Sequence, residues 1–168
     1  MPDLVGNNVA TEAQRYKIER DTPYGAVLRT IWLGDGDKRI ELAHPIAYLW
    51  TLCRDGGGYS DLVRRSLEDH GPSPANPWKL ALYSDEVTPG NVIAPDNLRK
   101  LWVVYWAMVS LHRQSLHDED AWMLLTAKRS SEVTKIAGGI SNVMAICLEQ
   151  FFTGGANDCA ACGFTLDF

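Results

Sequence analysis

Apolar residues along this chain fall into short blocks set off by turn formers. Residues 24–33 (YGAVLRTIWL) and 38–44 (KRIELAH) are rich in β formers and flank Gly34-Asp35-Gly36-Asp37. That pattern predicts a β-hairpin with a four-residue loop. Pro45 suits the first turn of a helix, and Ile46, Leu49, Trp50 and Cys53 follow at helical spacing until Gly56-Gly57-Gly58 ends the run. Ser60 is placed to cap a second helix over 61–70, with Leu62, Val63 and Leu67 inward and Arg64, Arg65, Glu68 and Asp69 outward. Residues 71–77 (GPSPANP) hold three prolines and form an internal boundary.

Beyond that boundary the pattern changes to strands. Residues 78–83 (WKLALY), 101–111 (LWVVYWAMVSL) and 121–127 (AWMLLTA) have the near-continuous apolarity of strands covered on both faces. The long middle run also suits a buried helix, and Val103, Val104, Tyr105 and Trp106 favour the strand. Ser130 and Ser131 are cap candidates, Gly138-Gly139 interrupts, and residues 141–152 (SNVMAICLEQFF) place Val143, Met144, Ile146, Cys147 and Phe151 at helical spacing. The reading is an α/β (α+β) chain. A flexible lead-in (1–23) precedes a hairpin with two helices (24–70), a β-β-β-α unit (78–152) and a Gly- and Cys-containing tail (153–168).

Length and composition narrow the function classes. At 168 residues and 46% hydrophobic, with six Trp and six Tyr, the chain can bury a core and is not a disordered sequence. Its formal charge is −5, which does not suit a self-sufficient nucleic-acid binder but leaves room for a local basic patch. No apolar run reaches the roughly 20 residues that span a bilayer, and residues 1–10 carry no basic leader, so the expected location is intracellular with no membrane partner. Four scattered cysteines fit a reducing compartment.

The strongest chemical signal is LYSDEVTPGN at 82–91, where an apolar run meets Asp85 and Glu86 before a Pro-Gly turn. Three strands and a helix, with an acid at the end of the first strand, are the opening half of a ribonuclease H-like fold. There, a first-strand carboxylate helps hold the Mg²⁺ or Mn²⁺ ions of phosphodiester chemistry. Successive strand residues point to opposite faces, so Asp85 is the expected ligand and Glu86 its weaker neighbour. The same residues also suit a solvated turn.

Other groups have plainer readings. Cys159 and Cys162 make one CxxC pair, enough for half a zinc site or a redox dithiol, with two reduced thiols as the bland alternative. His117 sits in the acidic run His117-Asp118-Glu119-Asp120, which reads as a solvated loop. Arg99, Lys100, Lys128 and Arg129, with Lys135 and Arg113, are the candidates for a phosphate-facing surface. Trp102, Trp106 and Trp122 suit base stacking in principle and core packing by spacing.

The succession Tyr24-Gly25, His44-Pro45, LYSDEVTPGN, residues 99–106, Asp120-Ala121-Trp122, Arg129-Ser130-Ser131, Gly138-Gly139 and Phe151-Phe152 resembles multicopy, transposon-like reading frames of protist genomes. Those are similar to cut-and-paste transposases with a ribonuclease H-like core, and the likeness covers most of residues 24–152. It implies metal-dependent DNA strand transfer with Asp85 as the first metal ligand, DNA as partner and a nuclear location. Such enzymes carry a second aspartate and a further acid; here Asp167 is the candidate second ligand and no third is found. The expectation is a truncated, catalytically incomplete relative prone to self-association, and the alternative is a non-enzymatic protein-interaction module.

Overall fold

The computed structural model describes residues 21–33, 38–88, 99–111, 115–117, 121–152 and 163–168. Strands β1 (Asp21–Thr22) and β2 (Gly25–Ala26) pair antiparallel, so the end of the expected lead-in is structured. The Thr22 hydroxyl closes this turn, donating to the Gly25 carbonyl at 2.7 Å and accepting from the Tyr24 N–H at 3.1 Å. The predicted hairpin follows. β3 (Leu28–Leu33) pairs with β4 (Lys38–Ala43) up to Leu33 opposite Lys38, and its loop lies outside the described residues. Ile40 and Leu42 turn to the core, while Leu28, Thr30, Trp32, Arg39 and Glu41 lie on the open face.

Helix α1 (Pro45–Asp55) starts with Pro45 at its first position. Its cap is His44, whose Nδ1 accepts the Ala47 N–H at 3.2 Å. Helix α2 (Gly58–His70) begins earlier than expected, and Ser60 is not its cap. Gly56 and Gly57 hold φ of 78° and 96°, a left-handed pair that reverses the chain within two residues and lets the helix restart at once. The Ser60 hydroxyl instead donates to the Cys53 carbonyl at 2.9 Å, tying the helices together.

The second half is an antiparallel sheet in the order β5-β6-β7, with β5 (Leu80–Val87), β6 (Leu101–Met108) and β7 (Met123–Arg129). Only central β6 shows the two-sided burial expected of all three. β5 is an edge strand of the described sheet and half exposed, because nothing but β6 pairs with it. It also runs on through Asp85 and Glu86, which lie opposite Val103 and Trp102 and not in a turn. A short helix α3 (Ser130–Val133) and the longer α4 (Gly139–Phe152) follow.

A bulge in β7 shapes the whole molecule. Val104 pairs with Thr126 and Tyr105 with Leu124, so Leu125 is an extra residue without an opposite number. Strict alternation from buried Met123 would turn Thr126 and Lys128 outward; the extra residue turns them inward with Val104 and Trp102. There they reach the hairpin: the Thr126 hydroxyl donates to the Glu41 carbonyl at 2.6 Å and Lys128 Nζ to the Arg39 carbonyl at 2.8 Å. β4 thus lies antiparallel beside β7, joined by side chains.

One core cluster unites both halves across residues 71–77: Ile40, Leu42, Leu49, Cys53 and Val63 with Val104, Trp106, Leu125, Val143 and Cys147. Burial pushes both thiols, Cys53 and Cys147, up to about 12, so they are inert packing groups. The fold is α+β, with antiparallel sheets. Among the described residues no helix is long and apolar enough to cross a membrane.

Two tests follow from this packing. Trp106 is 2% exposed, stacks edge-on against Phe151 at 5.3 Å, and leaves its indole N–H without a partner. Trp106→Ala is expected to cost about 3–5 kcal/mol in urea unfolding. Trp106→Phe, which also removes the unsatisfied N–H, should cost clearly less. His44 is buried and held to about 4 by desolvation and then by Arg29, so it stays neutral in the fold down to that pH. The unfolded chain protonates near 6.5 and the native chain does not, so stability falls as pH drops from about 6.5 to 4 and this contribution is flat below. The loss is about 3 kcal/mol. His44→Asn, which keeps a capping oxygen, should remove that slope in urea midpoints measured across the range.

Candidate functional site

The bulge that joins hairpin to sheet also opens a cleft of about 630 Å³ between them. Lys38, Arg39 and Glu41 come from β4, Ala127, Lys128 and Arg129 from β7, Leu101 from β6, and Glu132, Lys135 and Ile136 from α3 and the turn after it. Five cations face two carboxylates there, in a chain whose formal charge is −5. A positive site on an acidic protein is a local field that focuses anions.

Each cation is held differently. Lys128, with its side chain only 16% exposed, is fixed by the Arg39 carbonyl and by Glu132 Oε2 at 3.0 Å. Lys38 Nζ donates to the Lys135 carbonyl, pinning the hairpin tip to the turn after α3. Arg39 meets Glu41 at 3.4 Å, but both side chains are more than half exposed, so this pair adds little. Glu132 is kept below the usual carboxylate range by its hydrogen bond from Lys128, then by the charges of Lys128, Arg129 and Lys135. The side chains of Arg129 and Lys135 are exposed and make no direct hydrogen bond or ion pair among the described residues. Their charge is available to an incoming anion.

An aromatic ring borders this field. Trp32 sits directly across the hairpin from Arg39, whose guanidinium lies 5.9 Å from the ring centre. The ring is 59% exposed.

The carboxylates singled out in the sequence are not brought together. Asp85 turns back along the edge, its Oδ1 accepting the Glu86 N–H at 2.8 Å. Glu86 points to the opposite face and meets Lys100 Nζ at 3.3 Å. It is held below its usual range first by the Ser130 hydroxyl, whose approach falls short of full hydrogen-bond geometry, and then by Lys100. Asp167 is paired with Arg54 of α1 at 3.0 Å. No group of three His, Cys, Asp or Glu side chains that could hold a metal occurs among the described residues. The described carboxylates do not by themselves make the ligand set of a two-ion centre.

Of the cations proposed for phosphate contact, Lys128, Arg129 and Lys135 line the cleft. Lys100 is committed to Glu86 beside it, and Arg99 has a contact of its own. Trp106 is core, and Trp102 and Trp122 are part-buried, Trp122 donating to the Leu116 carbonyl at 3.1 Å. His117 closes a short 3₁₀ turn over Ser115–His117, and its acidic neighbours 118–120 lie outside the described residues. So do Cys159, Cys162 and Arg113.

Sequence reasoning missed Lys38, Arg39 and Trp32. A signal was present: a four-residue loop puts Leu33 opposite Lys38 and therefore Trp32 opposite Arg39. The convergence of that pair with β7 was not readable, because it depends on the bulge at Leu125.

No family model, no curated protein and no solved structure matches this chain.

Proposed function

We propose that this chain is a nucleic-acid-binding module that grips the sugar–phosphate backbone in the cleft between the hairpin and β7 and does not itself cut it. The observation that carries the reading is the convergence of Lys38, Arg39, Lys128, Arg129 and Lys135 from three separate segments onto one concave surface. Phosphate recognition needs this arrangement: several cations, at least one rigidly placed, and some uncommitted. Lys128 supplies the rigid charge, and Arg129 and Lys135 supply the uncommitted ones.

The likeness of LYSDEVTPGN to transposase-type reading frames agrees with DNA as the polyanion. In that reading the meander β5-β6-β7 with α3 and α4 is the remnant of a ribonuclease H-like unit, retained for holding DNA. Metal-dependent strand transfer is left out of the proposal. Asp85 accepts the Glu86 N–H, Glu86 meets Lys100 and Asp167 meets Arg54, and these acids form no shared cluster with a third ligand among the described residues.

The test is fluorescence anisotropy of a labelled 20-nucleotide DNA against rising salt. Affinity should fall steeply with salt, and Arg129→Gln and Lys135→Gln should each reduce the slope of log K against log salt by about 1. Both side chains are exposed, so neither change should move the urea midpoint. Absence of binding at low salt, or a slope unchanged in the double variant, would overturn the proposal and favour a protein-interaction module.

A further inference from the structure

We infer that the cleft accepts single-stranded rather than duplex nucleic acid, with one unpaired base stacked on Trp32. This rests on the backbone-binding reading above and adds to it the form of the strand.

Trp32 is the most exposed of the large apolar side chains described, at 59%. The other tryptophans have occupations of their own. Trp106 and Trp50 are buried, with Arg54 lying over the Trp50 ring, Trp78 donates to the His70 carbonyl, Trp122 donates to the Leu116 carbonyl, and Trp102 packs against the core. The Trp32 indole meets no other ring and makes no hydrogen bond among the described residues; its one contact of this kind is the Arg39 guanidinium. A single exposed apolar side chain is ordinary on a protein surface, so what singles out this indole is its place beside the cations of the cleft.

Position supplies the rest. Arg39 is at once the cation over this ring and a wall of the cleft, so a phosphate bound among Lys128, Arg129 and Arg39 brings its own base within reach of the indole. Cations along the backbone with an aromatic beside them make a single-strand platform, and any base serves because every base has a π-face. A duplex offers no such face, since its bases are already stacked and paired inside.

The experiment uses the full chain and three labelled 20-nucleotide probes at one salt concentration: a mixed-sequence single strand, an abasic strand of equal charge, and a duplex. The wild type should bind the base-bearing strand about tenfold more tightly than the abasic strand or the duplex, within a range of roughly 5- to 150-fold for one stacked base. Trp32→Ala should lose that preference while keeping its affinity for the abasic strand, and Trp32→Phe should restore part of it. Equal binding of base-bearing and abasic strands by the wild type, a preference for duplex, or a preference that survives Trp32→Ala would overturn the inference and leave backbone binding standing. Failure of the wild type to bind any probe would remove both together.

Discussion

Everything that gives this molecule a cleft depends on one extra residue in β7. Without the bulge at Leu125, period-two alternation would send Thr126 and Lys128 to the opposite face, and the hairpin would lose both of these side-chain anchors. With it, two side chains take the outward carbonyls of residues 39 and 41, which alternate along β4 and so point to the same edge. Two hydrogen bonds of about 1 kcal/mol each are a modest tether. Their importance is geometric, because a junction made by side chains holds strands farther apart than a backbone ladder does. The gap is the cleft.

Charge is organised around that gap in a way the net figure hides. Most ion pairs here are exposed and weak: Arg64 with Asp61, Arg54 with Asp167 and Arg39 with Glu41 all have side chains near or above half exposure. Lys128 differs. Its ammonium is largely removed from water and held by one carbonyl and one carboxylate, so its position is set by the fold and not by the solvent. Glu132 compensates this buried charge, and with that done Arg129 and Lys135 remain in surplus. Of the two carboxylates in the cleft, Glu132 holds the lysine that must stay put and Glu41 meets Arg39, and the side chains of Arg129 and Lys135 are left without an ion pair among the described residues.

Much of the architecture was legible because it follows from local rules. The hairpin, α1 with its proline start, three strands in succession and α4 all came from periodicity and turn residues, since those report directly on which side chains can be buried. What was not legible was non-local. The Gly56-Gly57 pair looked like a terminator and is a reversal, because its meaning depends on where α2 must pack. The strand through Asp85 was cut short because two carboxylates read as a turn, whereas an edge strand exposes half its residues and tolerates them. The cleft needs the bulge, and a bulge leaves no reliable mark in the run MLLTAKR. Three of the five cations, Lys128, Arg129 and Lys135, were named from the sequence; the two on the hairpin needed the junction.

An acid after an apolar run therefore has two physical meanings, and the strand's neighbours decide between them. On a central strand, flanked on both sides, the carboxylate is presented at the sheet end beside other loops, where further ligands can gather. On an edge strand, backbone N–H groups face outward and would recruit another strand, and a carboxylate bent back onto one of them satisfies it and adds repulsive charge to the edge. Asp85 does the latter: its Oδ1 accepts the Glu86 N–H at 2.8 Å. The cations of the cleft, by contrast, converge from separate segments on one space.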